Sequence, residues 1–126
     1  MHKELQKDPL KTANYIHSLK IAARGMIYLF LHHRNMRFIF LTGLAAICLG
    51  FYTNLSAIEL IALSITVTLV FIAEILNTAI ELMLDAITRE YHHKIKLVKD
   101  IAAGVVVIAC INAAIIGYIL FLRKYF

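Results

Sequence analysis

Three long apolar stretches dominate the chain and set its fold class. Residues 38–58 and 101–122 contain no charged residue, and residues 57–84 are interrupted only by Glu59, Glu74 and Glu81. About 20 helical residues, each rising about 1.5 Å, cross a hydrocarbon core of about 30 Å. The pattern predicts an all-α membrane protein with transmembrane helices at residues 36–55, 57–84 and 101–122, all within a single domain that covers residues 1–126.

The more polar, basic residues before the first span predict a different kind of helix. Asp8-Pro9 is a typical helix start, with Asp as N-cap and Pro at the first helical position. Apolar residues then recur at helical spacing from Tyr15 to Phe30, with basic residues on the opposite face. This pattern favours an amphipathic surface helix in the lipid headgroup layer, at residues 9–34. A helix packed on a soluble partner is the alternative.

The distribution of charge predicts topology. The net charge of +5 is compatible with a nucleic-acid partner, but most of the 13 Lys and Arg residues lie before the first span or between the second and third. The positive-inside rule places both segments in the cytoplasm. We therefore expect a cytoplasmic N-terminus and no nucleic-acid partner. No apolar segment with a cleavage site opens the chain, so the first span should remain as an anchor.

Local signals refine the helix ends. Ser56-Ala57-Ile58-Glu59 reads S-x-x-E, a capping box that would begin the second span and give Glu59 a structural role. A polar loop is expected at residues 88–100, with Asp100 capping the third span. Small residues spaced four or seven apart predict close helix approach; they are Gly43, Gly50, Ala109, Ala113 and Gly117. Because three short spans bury little surface, we expect a homo-oligomer.

The second span carries the candidate chemistry. At about 100° per residue, Glu74, Asn77, Glu81 and Asp85 lie on one helix face within about 80°. An ionisable group inside a span costs at least about 2.5–3.5 kcal/mol and normally marks function. Carboxylate and amide oxygens at this spacing suit Mg²⁺, and a buried carboxylate can serve as a general base. An interhelical hydrogen bond, or a buried partner for Arg37, is the alternative.

The segment REYHHKIKLVKD, residues 89–100, supplies Lys, His and acidic side chains suited to a polyphosphate and its metal. The chain contains neither G-x-x-x-x-G-K-[ST] nor G-x-G-x-x-G. A nucleotide site here would therefore be neither a P-loop nor a kinase glycine loop.

The segment EILNTAIELMLD, residues 74–85, resembles the signature of the prokaryotic diacylglycerol kinase family at every position. The resemblance continues through EYHHKIKLVKDIAAG (90–104) and RNMR (34–37), and covers about residues 14–122. It implies a small homotrimeric kinase with three spans and a surface helix, which uses ATP and Mg²⁺ to phosphorylate a lipid in the bacterial cytoplasmic membrane.

Carried over by position, the resemblance assigns roles to individual residues. Glu74 matches the catalytic base that takes the proton from the lipid hydroxyl, and Glu81 matches a metal ligand. Five residues match ATP-binding positions: Asn77, Glu90, His92, Lys99 and Asp100. Asn35 and Arg37 fall at the expected lipid site. Asp85 matches the signature, but Arg89 at i+4 offers it a structural partner as an alternative.

The sequence leaves alternatives for the lipid acceptor and for the kind of function that the protein performs. Diacylglycerol, converted to phosphatidic acid, is the expected substrate, and undecaprenol is the alternative within the family. A different kind of function is that of a non-catalytic interaction subunit with a decayed metal site. A cation-conducting oligomer is a third, but it needs polar residues along the whole span, and residues 60–73 offer only Ser64, Thr66 and Thr68.

One position departs from the family pattern. His33 stands where the family usually carries a metal-binding Glu. Imidazole is a poorer Mg²⁺ ligand than carboxylate and suits softer ions such as Zn²⁺. His33 therefore predicts either weakened Mg²⁺ binding or a preference for Mn²⁺ or Zn²⁺.

We expect His33→Glu to raise kinase activity at low Mg²⁺, because a carboxylate adds a hard oxygen and a negative charge. The measurement is the rate of lipid phosphorylation across Mg²⁺, Mn²⁺ and Zn²⁺ titrations, with His32→Glu as the control. A wild type that prefers Mn²⁺ or Zn²⁺, with the order reversed in His33→Glu, would instead indicate adaptation to a softer ion. Identical curves for wild type and variant would remove His33 from the metal site.

Overall fold

The computed structural model describes residues 11–88, 90–123 and 125 of the chain. Four α-helices follow one another: α1 at Lys11–His32, α2 at Arg34–Tyr52, α3 at Ala57–Ile87 and α4 at His93–Gly117, which continues into a π-helical segment at Tyr118–Leu122. No strand occurs within these described residues. Three helices are long and apolar enough to cross a membrane: Arg34–Tyr52, Ala57–Ile87 and His93–Leu122. The prediction of an all-α protein with three membrane spans is confirmed.

The chain divides into two compact units, Met1–Arg34 and Asn35–Phe126. The first contains α1, whose apolar side chains are mostly exposed, Tyr15 and Leu19 among them. Near its C-terminus the ring of Tyr28 stacks on His32 at a centroid distance of 4.3 Å. The expected helix start at Asp8-Pro9 lies outside the described residues. The position of α1 in the headgroup layer stays a prediction.

A tight turn joins α2 to α3 in the second unit. Asn54 has a φ of 58°, the left-handed conformation that Asn tolerates better than most residues. The amide of Leu55 donates to the carbonyl of Gly50 at 3.1 Å, and the amide of Asn54 donates to Phe51 at 3.2 Å. These two bonds form a Schellman motif, which satisfies the last carbonyls of α2 and reverses the chain.

The start of α3 and the core lie beside this turn. Ser56 Oγ accepts from the amide of Glu59, and the Glu59 carboxylate accepts from the amide of Ser56, so the predicted capping box is confirmed. Leu55, Leu63 and Leu120 form the buried apolar core. Leu120 belongs to the π-helical segment. The three spans are therefore joined by apolar packing at the end where α2 meets α3.

The start of α4 corrects one prediction. Helix α4 begins at His93, with His92 as its N-cap, so the prediction that Asp100 caps this span is wrong. Lys96 Nζ instead donates to Asp100 Oδ2 at 2.7 Å, one turn along the same helix. The charged segment is helical because its polar side chains can point into water while Ile95 and Ala102, seven residues apart, lie on a common face.

Two glycines of α2 allow α3 to approach closely. A Cβ added at Gly43 would lie 2.6 Å from Val67 Cγ1, and one added at Gly50 would lie 2.9 Å from Leu63 Cδ2. Close approach at these positions follows the prediction from small-residue spacing. Gly117 differs, because a Cβ there would meet nothing within 4 Å. With Ala113 it lines an apolar groove of about 400 Å³ between the spans.

We expect Gly43→Ala to destabilise the protein by about 1–3 kcal/mol, because the new methyl group overlaps the branched and therefore stiff Val67. The matched control is Gly104→Ala in α4, where a Cβ meets nothing within 4 Å and helix propensity favours Ala by roughly 0.5–1 kcal/mol. Reversible unfolding in mixed detergent micelles measures both variants. Equal effects of the two substitutions would contradict the close contact.

Candidate functional site

The acidic stripe, formed by Glu74, Asn77, Glu81 and Asp85, runs along α3 from a buried position to an exposed one. Glu74 is only 6% exposed. Asn77 and Glu81 are half-buried, and Asp85 is exposed. The helix is unbroken from Ala57 to Ile87, so Glu74 and Asp85 are separated by about 16 Å along its axis. The stripe therefore connects the interior of a span with the end of the bundle where α3 meets α4.

Glu74 is held by an amide from α2. Asn35 Nδ2 donates to Glu74 Oε1 at 2.8 Å, a contact between residues 39 apart in sequence. A hydrogen bond to a carboxylate is stronger than one between neutral groups, and it fixes the orientation of the side chain. The sequence placed Asn35 at a lipid site and did not predict this contact. The contact is an interhelical hydrogen bond, which the sequence offers as an alternative role for the buried acid without indicating Asn35 as the donor.

One turn along the stripe, the Asn77 amide faces Glu81. Asn77 Nδ2 lies 3.5 Å from Glu81 Oε1, at the long limit of a hydrogen bond. Asn77 Oδ1 is buried and has no hydrogen-bond partner within the described part of the chain. A buried polar atom is normally paired, so an orphaned oxygen next to a carboxylate marks a place for a positively charged or donating group. Two hard oxygens here fit one side of a divalent-cation site.

No cluster of three or more His, Cys, Asp or Glu side chains within metal-binding distance occurs among the described residues. A cation at this point would need further ligands, such as phosphate oxygens or water, as is usual for Mg²⁺. His33 belongs to the first compact unit and Glu81 to the second. The metal role of His33 stays a prediction.

A polar cleft of about 380 Å³ lies where α3 passes into α4. Its lining combines acidic, basic and aromatic side chains: Asp85, Thr88, Glu90, Tyr91, His92, Ile95, Lys96 and Lys99. The volume falls within the roughly 300–1,000 Å³ of small-molecule sites. Three of the five residues expected to bind ATP, Glu90, His92 and Lys99, therefore line one cleft.

Local hydrogen bonds shape the loop of this cleft. The amide of Thr88 closes α3 by donating to Leu84, and Thr88 Oγ1 accepts from the amide of Glu90 at 3.0 Å. His92 is the N-cap of α4 but makes no side-chain capping bond. The first amides of α4 are therefore available to an anionic ligand, which the positive end of the helix dipole also favours.

An ion pair connects the cleft to the acidic stripe. Lys99 Nζ donates to Asp85 Oδ1 at 2.8 Å and joins α4 to α3. The partner of Asp85 in the structure is thus Lys99, whereas Arg89, considered from the sequence, lies outside the described residues. Both side chains are substantially exposed, so the pair contributes little to stability. Its effect is to orient the ammonium group within the cleft.

The structure separates two of the expected ATP-binding residues from this cleft. Asn77 belongs to the acidic stripe. Asp100 does not line the cleft, but it pairs with Lys96, which does. The cleft also contains Tyr91 and Lys96, which the sequence did not single out. The spacing of Lys96 and Lys99, three residues apart, would have predicted that both ammonium groups lie on one face once the segment is helical.

Comparison with known proteins identifies the family of the chain. Residues 20–121 match the family described as prokaryotic diacylglycerol kinase. A diacylglycerol kinase of Synechocystis sp. is 39% identical over 117 residues, covering 91% of this chain and 67% of that protein. An undecaprenol kinase of Bacillus subtilis is 37% identical over 103 residues, covering 82% of this chain and 84% of that protein. A diacylglycerol kinase of Escherichia coli is 40% identical over 77 residues, covering 61% of this chain and 63% of that protein.

The matched region contains the acidic stripe and the polar cleft, and the family and these relatives are kinases. The chain therefore belongs to the prokaryotic diacylglycerol kinase family and is a membrane-embedded lipid kinase.

Proposed function

We propose that this protein transfers the γ-phosphate of ATP to the hydroxyl group of diacylglycerol and so makes phosphatidic acid. The observation that carries the proposal is the acidic stripe, which leads from a carboxylate inside a span to a polar cleft at its end. A lipid hydroxyl and a water-soluble nucleotide must meet at such a boundary. The interhelical hydrogen bond from Asn35 gives Glu74 a structural partner, but it does not account for the polar groups that continue from Asn77 to the cleft.

Glu74 acts as the general base. Asn35 holds one carboxylate oxygen at 2.8 Å, which leaves Oε2 to accept the proton of the lipid hydroxyl. The buried position of Glu74 excludes water, which would compete with the lipid for the phosphoryl group. A diacylglycerol molecule reaches this depth from the bilayer without leaving it.

The nucleotide binds from the polar cleft. Lys99 contacts the phosphates, and the uncapped amides at the start of α4 add hydrogen-bond donors. Glu90 and His92 supply polar contacts, and Asn77 directs the γ-phosphate toward Glu74. Asp85 keeps the ammonium group of Lys99 in the cleft before the phosphates arrive. Such positioning is the main requirement for phosphoryl transfer, in which the protein does little covalent chemistry.

The oxygens of Glu81 and the orphaned Oδ1 of Asn77 would hold a divalent cation, with Mg²⁺ as the expected ion. When bound, such a cation supplies positive charge against the phosphate oxygens. Its remaining ligands come from phosphate or water.

Membrane location follows from the same reasoning. The basic segments before α2 and between α3 and α4 support a cytoplasmic N-terminus and a polar cleft that faces the cytoplasm, where ATP is available. The membrane is the bacterial cytoplasmic membrane. The protein assembles as a homotrimer, which shields the polar groups of the spans.

Undecaprenol is the second candidate acceptor, since a relative of 37% identity is named as an undecaprenol kinase. Diacylglycerol is favoured because the matching family and two of the three relatives described above are named for diacylglycerol kinase. The test is a panel of diacylglycerol, undecaprenol and monoacylglycerol in micelles with labelled ATP. Faster labelling of undecaprenol than of diacylglycerol would overturn the substrate assignment, and labelling of none would overturn the kinase proposal.

We expect Glu74→Gln to lower the turnover of diacylglycerol by roughly 10²–10⁴-fold, because an amide of the same shape cannot accept the hydroxyl proton. The matched control is Glu59→Gln in the same helix. Gln also closes a capping box, so this variant should keep wild-type turnover. Steady-state assays at saturating ATP and lipid measure both. A Glu74→Gln enzyme with a tenth or more of wild-type turnover would remove Glu74 from the role of base.

Lys99→Met should raise the KM for ATP about tenfold or more and leave the KM for the lipid nearly unchanged, because of the two substrates only ATP is contacted by the lost charge, through its phosphates. The control is Lys94→Met, since Lys94 lines a neighbouring cavity and not the polar cleft. Varying each substrate at saturating levels of the other separates the two constants. Equal increases in both KM values would indicate a structural defect and not a lost phosphate contact.

A further inference from the structure

Lys96 is a second cation of the polar cleft, and the reaction described above does not use it. Lys96 and Lys99 both line the cleft and stand three residues apart on α4. Lys96 Nζ donates to Asp100 Oδ2 at 2.7 Å. Lys99 Nζ donates to Asp85 Oδ1 at 2.8 Å. Because an ammonium group has three N–H donors, each lysine can keep its carboxylate partner and still donate to a ligand in the cleft.

The charge of the cleft shows what Lys96 contributes. Among the described residues of its lining, Asp85 and Glu90 are negatively charged, and Lys96 and Lys99 are positively charged. With Lys99 alone, two carboxylates would face one ammonium group, and the excess negative charge would repel a polyphosphate. Lys96 balances these carboxylates, so the cleft needs both lysines to accept such an anion.

Helix stability does not explain why a lysine stands at position 96. Lys96 lies close to the start of α4, and the first turn of this helix contains no acidic residue. The helix dipole favours anions at this end and disfavours cations. In the pair with Asp100 the cation is on the N-terminal side, which is the less favourable order for an i,i+4 pair. Both side chains are also largely exposed, so the pair contributes little to stability. An anionic ligand in the cleft accounts better for Lys96.

The two lysines lie at different distances from Glu74. Helix α4 runs from the cleft into its apolar stretch at residues 101–122, so Lys96 lies nearer to water than Lys99 by about 4.5 Å along the axis. In agreement, the side chain of Lys96 is 58% exposed and that of Lys99 is 38% exposed. Lys99 is also paired with Asp85, on the acidic stripe that leads to Glu74. A triphosphate that presents its γ-phosphate to Glu74 therefore has its γ end near Lys99 and its other phosphates near Lys96.

We propose that Lys96 binds the α- and β-phosphates, which leave as part of ADP, while Lys99 acts at the γ end. Asp100 is a positioning residue that holds the ammonium group of Lys96 at the edge of the cleft. Because Lys96 contacts phosphates that substrate and product share, it stabilises bound ATP and bound ADP equally and sets how strongly ADP is retained. This inference rests on the proposed transfer from ATP and does not depend on which lipid accepts the phosphate.

Nucleotide binding in the absence of lipid tests this assignment separately from catalysis. Equilibrium dialysis of the purified full-length protein in micelles with Mg²⁺ gives the Kd for labelled ADP and for labelled β,γ-methylene ATP, which cannot transfer its γ-phosphate. Lys96→Met should raise both Kd values by the same factor, about fivefold or more, because both nucleotides lose the same charged hydrogen bonds. Lys99→Met should raise the Kd for the ATP analogue roughly threefold more than the Kd for ADP, because only the analogue carries a γ-phosphate.

Two matched variants separate the charge of Lys96 from a structural role. Lys96→Arg keeps the positive charge and should leave the Kd for ADP within about threefold of wild type. Lys94→Met removes a charge that lies outside the cleft lining and should leave it within about twofold, since salt screens a distant exposed charge.

The possible failures are distinguishable. An unchanged Kd for ADP in Lys96→Met, or an equal increase in Lys94→Met, would overturn the assignment and leave Lys96 as a surface charge. An increase confined to the ATP analogue would place Lys96 at the γ-phosphate and also overturn it. A wild type that binds ADP but phosphorylates no lipid would refute the proposed function, while the ADP measurements would still decide the role of Lys96. A wild type that binds neither nucleotide would refute both.

Discussion

The interior of a bilayer offers no hydrogen bonds, so each polar side chain in a span must be paired by the protein or by a ligand. In α3 this constraint falls on Glu74, and Asn35 meets it with a hydrogen bond of 2.8 Å. The start of α2 must therefore stay beside the middle of α3. The close helix contacts at Gly43 and Gly50 maintain that relation along the rest of the interface. Packing at one end of the bundle and the orientation of the Glu74 carboxylate at the other are thus coupled.

The two ends of the bundle have different physical character. At the α2–α3 turn, a Schellman motif, a capping box and a leucine core hold the chain with short-range apolar and backbone interactions. At the α3–α4 end, exposed ion pairs and an uncapped helix start surround the polar cleft. Exposed ion pairs are weak and exchange easily. A ligand that carries several negative charges can therefore reorganise this end without unfolding the other.

Much of this architecture is predictable from the sequence. The contacts that are not predictable join residues far apart in the chain. The three spans, the capping box and the common face of Glu74, Asn77, Glu81 and Asp85 all depend on helical periodicity, which is local. The partner of Glu74 lies 39 residues away and that of Asp85 lies 14 residues away, so both depend on helix packing. The many charged residues at 89–100 favour a loop when the sequence is read alone, and a loop there would make Asp100 the cap of the span. The structure instead continues α4 back to His93. A pair of charges four residues apart, Lys96 and Asp100, was the available signal for a helix.

The length of α3 has a mechanical consequence. Its 31 residues extend about 46 Å, whereas a typical hydrocarbon core is about 30 Å thick. The helix must tilt or project into water, and the polar residues of its last turns favour projection at the α3–α4 end. The depth of Glu74 below the headgroups then varies with the thickness of the host membrane, because a thicker bilayer covers more of the helix. Lipid chain length therefore changes the distance between the lipid hydroxyl near Glu74 and a phosphate that enters from the polar cleft.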